Sequence, residues 1–206
     1  MAVLQGYNAS IQIASGTSVA FANEATTANA DRTEYAIHDA AKRYWDRLAV
    51  FAVERSTDNG TTWNVVPTSE YALIHVGGLV KFASAQAAGT LVRVSGRYLP
   101  VSTVGQAKEW SLDLSLNMED ASVFGDGWKT YTPLQASASA SLSRWWLDGA
   151  FLGLLRSLMV LILYLDATRR YEAYAYLTRD SVQAATSGNI EEPLEFEIDG
   201  QVFYRA

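Results

Sequence analysis

The sequence predicts a mainly β protein, an antiparallel β-sandwich or partial barrel with one short flanking α-helix. Apolar and polar residues alternate along several segments, and glycine-containing turn pairs separate apolar runs. Helical periodicity is scarce. The chain has 206 residues, of which 49% are hydrophobic and 12% aromatic. This composition suits a single domain with a sizeable core.

Alternation is clearest from Trp110 to Met118, where every second residue is apolar and the residues between are Ser, Asp or Asn. This pattern predicts a strand with one buried and one exposed face. The same period recurs at 136–142 and 194–198. Three further runs are apolar on both faces and predict strands covered on both sides. These runs lie at 48–53, 91–94 and 159–165.

Turn residues predict where the strands end. The pairs Asn59-Gly60, Gly77-Gly78 and Asp199-Gly200 each lie between apolar runs, where a tight hairpin requires a positive φ. We therefore expect strands at 47–55, 62–66, 71–76, 79–83, 91–99, 109–118, 135–143, 158–165, 171–178, 190–198 and 201–205. The α-helix is expected at 148–157, with Asp148 as its N-cap, and a shorter helical turn at 38–46.

No change in composition marks a domain boundary, so we expect one domain over 1–206. Within it, 35–100 is predicted to be a β-meander elaboration. The segment 21–34 has no period and is predicted to be a mobile arm or loop. The connection at 124–133 carries two glycines among aromatic residues and is predicted to be ordered.

The composition excludes several kinds of site. There is no cysteine, which removes disulfides, thiolate metal ligands and cysteine nucleophiles. No cofactor or metal is expected, since only His38 and His75 could supply imidazole ligands. The net charge of −6 disfavours tight binding to nucleic acid phosphates. No secretory signal is expected, because the N-terminus has no basic start and no long apolar run. No membrane span is expected either, because the apolar stretch Trp145–Leu165 contains Arg156 near its middle.

No catalytic constellation is apparent, and we expect no enzymatic activity. The segment Ser56–Trp63 resembles the Asp-box of sialidases and related propellers, but it occurs once and is best explained as a structural hairpin turn. Adjacent carboxylates such as Glu119-Asp120 do not face each other across a substrate, as glycoside hydrolysis requires. His75 lies in an apolar strand, where a structural role is favoured. The six tryptophans could form a sugar-binding platform, although core packing explains them as well.

The segment Lys108–Leu147 resembles the major tail tube proteins of long-tailed bacteriophages. In that family an alternating strand led by Trp runs into an acidic pair, then a Phe-Gly-Asp/Trp-Lys connection, then a strand of small residues. The strand and hairpin order from Met159 to Gly200 is also similar to the end of that family's fold. The residues that carry the resemblance, and are candidates for the core, are Trp110, Leu112, Leu114, Phe124, Gly125 and Trp128.

The resemblance implies a structural protein of the virion tail, assembled in the host cytoplasm. Six subunits would form a ring with a continuous inner barrel, and rings would stack around a tape-measure protein, with tail-terminator and baseplate proteins as further partners. Inner tubes of contractile tails and type VI secretion have a related architecture. DNA would pass through the lumen without specific binding, because six copies at −6 each give a formal ring charge of −36.

The resemblance assigns roles to two groups of residues, and two other classes of function stay open. Candidate acidic residues facing the lumen are Asp113, Glu195, Glu197 and Asp199. Candidate residues of a stacking arm are Asn23, Glu24, Asn29, Asp31 and Arg32. The alternative function is a carbohydrate-binding or adhesin β-sandwich module of a phage tail or cell surface. A small hydrolase would rest only on the single Asp-box and on scattered carboxylates.

Overall fold

The computed structural model describes residues 9–125, 127–184 and 186–206. The fold class is confirmed, because the described chain is mainly β and all its strand ladders are antiparallel. The strands are β1 (Ser10–Ala14), β2 (Val19–Ala28), β3 (Glu34–Ile37), β4 (Ala52–Ser56), β5 (Asn64–Val65), β6 (Tyr71–Ile74), β7 (Leu79–Phe82), β8 (Leu91–Tyr98), β9 (Val101–Thr103), β10 (Ala107–Asp120), β11 (Tyr131–Trp145), β12 (Leu158–Tyr164), β13 (Arg170–Asp180), β14 (Glu191–Ile198) and β15 (Phe203–Arg205).

The strands form two sheets. The first sheet has the order β10-β11-β14-β13-β12-β1-β9, and β15 also pairs with β13. The second sheet has the order β5-β4-β8-β2-β3-β7-β6. Each strand predicted from residue 47 onward has a counterpart, but the one predicted at 47–55 begins only at Ala52. The expectation that the runs 48–53 and 91–94 are covered on both faces is wrong, because Leu48 and Val50 lie exposed in the connection before β4 and Leu91 is exposed at the start of β8. The strands β1, β2, β3 and β9 were not predicted.

Both sheets must curl, because short connections join their edge strands. In the first sheet only residues 104–106 separate β9 from β10. Seven strands in a flat sheet would hold these edges about 29 Å apart, whereas the link from Thr103 to Ala107 reaches at most about 14 Å. The second sheet curls in the same way, because residues 66–70 join its edge strands β5 and β6.

The first sheet fills the inside of its curl with its own side chains. Met159, Leu161 and Leu163 of β12 point inward, in a cluster that also contains Leu142 and Phe196. The alternate side chains of β12, Val160 and Ile162, pack in a second cluster with residues of the 44–99 segment. The strand is therefore buried on both faces, as its unbroken apolar run predicted.

A buried carboxylate joins the two sheets. Glu172 of β13 is fully buried, and it accepts hydrogen bonds from the Tyr44 hydroxyl at 2.8 Å, from Arg170 Nε and from Arg205 Nε at 3.3 Å. Burial and the charge of Glu172 raise the pKa of Tyr44, so its hydroxyl keeps the proton that it donates. Arg205 also donates to the Val76 carbonyl at 3.1 Å. This bond ties the last strand to residues 19–98, the part of the chain that forms the second sheet, which we call the second-sheet segment.

The prediction of a loop over 21–34 is wrong for its first part, which belongs to the ten-residue strand β2. Only Phe21 of this strand is buried, so its sequence has almost no apolar period. A bulge adds to the irregularity, because Asn23 takes a φ of 54° and the pairing with β8 shifts between Phe21 and Glu24. Tertiary pairing, rather than local pattern, makes this segment a strand.

The other residues predicted for a stacking arm also take part in local structure. Glu24 forms an ion pair with Lys42. The Asn29 side chain accepts hydrogen bonds from the backbone amides that open β3, and Arg32 Nε donates to the Gln86 carbonyl at 3.0 Å. Asp31 is exposed in the turn between β2 and β3. These contacts form an ordered turn.

The α-helix predicted over 148–157 is a 3-10 turn of three residues, Leu152–Leu154. Asp148 does accept a hydrogen bond from the Ala150 amide at 3.2 Å, but the helix cannot continue because Arg156 takes a φ of 70°. The helical turn predicted within 38–46 is a 3-10 turn at Ala40–Lys42, capped by Asp39. In the described residues, no helix has the length and apolarity needed to cross a membrane.

Replacing Glu172 by Ala should destabilise the protein by about 3 kcal/mol, because two guanidinium groups and a buried hydroxyl lose their shared acceptor. The measurement is the free energy of unfolding in urea. The matched control is Glu191→Ala, which removes a partly exposed carboxylate bonded to Lys108 and should cost less than about 1 kcal/mol. Equal costs for the two variants would contradict the role given to Glu172.

Candidate functional site

Strands β10 and β11 extend far beyond the sheet that carries them. β11 pairs with β14 only over Ser139–Trp145, so from 113 to 137 the two strands pair only with each other among the described residues. Every described residue from Asp113 to Ser137 is exposed. We call 113–137 the projecting hairpin. A two-stranded ribbon of this kind is marginally stable in water without further packing.

One face of the projecting hairpin is apolar and mostly exposed, although Leu114 at its base borders a groove with Tyr171 and Val202. Leu114, Leu116 and Met118 are 63%, 53% and 49% exposed. The face continues the inward-facing row that begins at Trp110 and Leu112, which pack against the core. At the tip, Phe124 and Trp128 are fully exposed. An apolar row that leaves the core and enters solvent marks an interaction surface.

The opposite face is lined with serines and carboxylates. Across β10 and β11, the Ser111 and Ser141 hydroxyls lie 2.9 Å apart and those of Ser115 and Ser137 lie 2.8 Å apart. Such cross-strand hydroxyl pairs help to hold the register of the two strands. The hairpin therefore has one apolar and one polar face as far as Leu116, beyond which the pairing register of the two strands shifts before Met118.

The strand register brings together three of the four carboxylates predicted to face a lumen. Asp113 lies opposite Ser139, which lies opposite Glu197. Asp113, Ser139 and Glu197 therefore form one row across β10, β11 and β14, with a carboxylate at each end of the row. Glu195 occupies the next row of the same face and accepts a hydrogen bond from Arg179 at 2.9 Å. We call this surface the polar face.

Asp199 does not share this surface. It lies after the end of β14, and its carboxylate forms an ion pair with Arg47 of the second-sheet segment. Its role in the structure is to connect the two sheets.

The residues that carry the family resemblance divide between core and surface. Trp110 and Leu112 are partly buried against the core, but the expectation that Leu114, Phe124 and Trp128 are core residues is wrong. Alternation gives the correct face of the strand, yet that face has no partner beyond the last neighbouring strand. Gly125 takes a φ of +103° in the connection at the tip, a conformation that favours glycine.

The sequence offers one signal for this surface that the strand prediction did not use. The alternation over β10 runs for nine residues, from Trp110 to Met118, which exceeds the usual strand length of five or six. A strand so long can be paired on both sides only where both neighbouring strands are equally long, so its end is a natural candidate for an exposed ribbon. Leu116 and Met118 are the residues that this signal would have identified as exposed.

The Asp-box segment is a structural turn. The Asp58 carboxylate accepts hydrogen bonds from the hydroxyl and amide of Thr62 and from Ser56, and these bonds lower its pKa to about 2. Trp63 Nε1 donates to the Gly60 carbonyl at 3.1 Å, and the Arg93 guanidinium stacks on the Trp63 ring at 4.2 Å. The carboxylate is fully used inside the turn.

The histidines have structural surroundings. The His75 ring packs edge-on against Trp45 and Phe51, and burial lowers its pKa. His38 Nδ1 lies 3.5 Å from the Thr27 hydroxyl. In the part of the chain that the structure describes, no group of three or more acidic or histidine side chains is placed to hold a metal ion.

The tryptophans do not form a flat aromatic platform. Trp45 is fully buried, and the Lys108 ammonium lies over the Trp145 ring at 4.1 Å. The two that expose large hydrophobic surface, Trp128 and Trp146, lie at opposite ends of β11. A sugar-binding platform needs neighbouring rings, so this arrangement does not favour carbohydrate recognition.

No protein-family model and no curated protein matches the sequence. Among solved structures, a chain of the "Cryo-EM structure of the anti-feeding prophage (AFP) baseplate, 6-fold symmetrised" matches with 12% identity and a TM-score of 0.34. The match covers 75% of this chain and 91% of that chain. This TM-score is below the level that indicates a shared fold.

Changing Leu116 to Ser should alter the free energy of unfolding of the dilute protein by less than about 0.5 kcal/mol, because the side chain already faces water. The matched control is Leu142→Ser, which changes the same residue type on the neighbouring strand at a site only 2% exposed. That variant should lose about 3 kcal/mol or more. Urea unfolding in dilute solution compares them, and a large loss for Leu116→Ser would place this face in the core.

Proposed function

We propose that the protein is a structural subunit of a phage tail tube, in which copies of the chain form rings that stack into a conduit for DNA. It has no enzymatic role in this proposal. Rings of six, and contacts with tape-measure, tail-terminator and baseplate proteins, are the details that the sequence resemblance implies.

The observation that carries the proposal is the uncovered apolar face of the projecting hairpin. About half of the surface of Leu114, Leu116 and Met118 faces water, and covering it would stabilise an assembly by roughly 1 kcal/mol per side chain. The segment is also the one whose sequence resembles tail tube proteins. A second copy of the chain is the partner that every molecule has available.

An open sheet edge supports the same proposal. β10 lies at one end of the first sheet and pairs only with β11 in the described chain, so its outer edge presents unpaired backbone groups over 14 residues. Long exposed edges promote pairing with other chains, and closure of a barrel removes them. In a ring, the edge of each copy would be satisfied by the next.

The distribution of charge fits a passage for DNA. Residues 21–100 contain the second sheet apart from the first two residues of β2. They carry eight acidic and eight basic residues. Residues 101–206 carry fourteen acidic and eight basic residues, so the entire net charge of −6 arises in the segment that forms the polar face. Repulsion of phosphates by such a face would keep a duplex mobile.

Concentrated purified protein should form rings or hollow tubes in negative-stain electron microscopy. The triple variant Leu114→Ser, Leu116→Ser, Met118→Ser should stay dispersed, because it removes the apolar face and leaves the core intact. The control is Leu48→Ser, Val50→Ser, which changes two residues of the second-sheet segment that are more exposed still; it should assemble like the wild type. A wild-type protein that stays monomeric at high concentration, or a triple variant that assembles normally, would contradict the proposal.

A further inference from the structure

The end of the first sheet opposite the hairpin tip also exposes apolar side chains. They come from the two connections at 146–157 and 181–190, which lie side by side because the Trp146 amide donates to the Ile190 carbonyl at 2.9 Å. Both connections are at the end of β11 that carries Trp145, which pairs with Glu191. We call these five exposed residues the end surface: Trp146, Leu147, Leu152, Val182 and Ile190.

Each end carries one exposed charge without an ion pair among the described residues, and the two charges have opposite signs. Arg156 is exposed in the connection that contributes three residues to the end surface, and its side chain makes no hydrogen bond or ion pair with the described residues. Near the hairpin tip, Glu119 is exposed and likewise without an ion pair within 9–125, 127–184 and 186–206. The carboxylate of its neighbour Asp120 forms an ion pair with the Lys129 ammonium at 3.2 Å.

The tip and the end surface of one chain cannot meet. Leu152 follows Phe151, whose ring lies 4.5 Å from the Arg144 guanidinium, so the end surface is level with Arg144 of β11. From Arg144 to Tyr131 the strand covers about 43 Å, at about 3.3 Å per residue. The hairpin is a paired ribbon over this distance and cannot fold back. Any contact between the two surfaces therefore involves two copies.

We infer that the hairpin tip of one copy docks on the end surface of a second copy. Phe124 and Trp128 cover the exposed apolar side chains there, and the acidic end of β10 lies near Arg156. The contact joins two different surfaces, so each copy has one free tip and one free end surface and copies add head to tail. The inference rests on the proposed function and adds to it the surfaces that join successive rings.

Thiol cross-linking tests the contact directly, because the natural chain contains no cysteine. The variant Ala121→Cys, Gly153→Cys places the thiols beside the two surfaces and keeps their apolar side chains, since Ala121 and Gly153 are exposed and a Cβ at Gly153 meets no neighbour within 4 Å. It is assembled and treated with a short bis-maleimide. Denaturing electrophoresis should show a ladder of covalent multimers, since each chain can link at both ends. The control Ala121→Cys, Leu48→Cys carries its second thiol at a highly exposed leucine outside the end surface and should give no ladder. Adding Arg156→Glu to the first variant should weaken its ladder at low salt.

The outcomes separate the inference from the proposed function. If the wild type forms tubes but the Ala121/Gly153 variant gives no more multimers than its control, the inference is wrong and the proposed function stands. If Ala121→Cys alone gives as much dimer as the double variant, the tips meet each other and the inference is again wrong. A wild type that forms no assembly overturns the proposed function and the inference together.

Discussion

A mismatch of strand lengths is the constraint on which the rest of the structure depends. β10 and β11 have 14 and 15 residues, whereas β14 beside them has eight. In the first sheet, a strand face is covered only where the curl of the sheet places other strands over it. The strands β10 and β11 continue beyond the last residue that pairs with β14, so their far ends are left uncovered. The alternation of apolar and polar residues nevertheless persists to Met118. The chain therefore carries a second apolar surface that is continuous with its core and that its own fold leaves in water.

The second sheet occupies a different part of the molecule and leaves this surface free. It packs on side chains of β12 and β13 such as Val160, Ile162 and Tyr174, and the buried Glu172 holds it there. These side chains belong to the same face of the first sheet as the serines and carboxylates of β11 and β14. Because the sheet curls, the two halves of that face point in different directions, so the added sheet does not cover the polar face. Its balanced charges also leave the acidic character of the first sheet unchanged.

The sequence predicted the fold class and nearly all strands after residue 47, because alternation and glycine turns are local signals. It failed at β2, where pairing with β8 and β3 imposes a strand on a segment with a single buried residue. It also failed at 148–157, where Arg156 in a left-handed conformation ends the helix. For the candidate site, alternation placed Asp113, Glu195 and Glu197 on polar strand faces, but it wrongly added Asp199, which pairs with Arg47. It could not show that Leu114 and Leu116 lack a partner, since burial depends on the length of strands distant in sequence.

Hydrogen–deuterium exchange of the β10 and β11 amides, measured in dilute and in concentrated protein, tests most directly whether another copy covers the projecting hairpin. In dilute solution we expect fast exchange from 113 to 137 and slow exchange at Leu161 and the other amides of β12, which have strands on both sides. In concentrated protein the hairpin amides should become protected while those of the second sheet stay as they were. Hairpin amides that are already slow in the dilute chain, or that stay fast in concentrated protein, would contradict this.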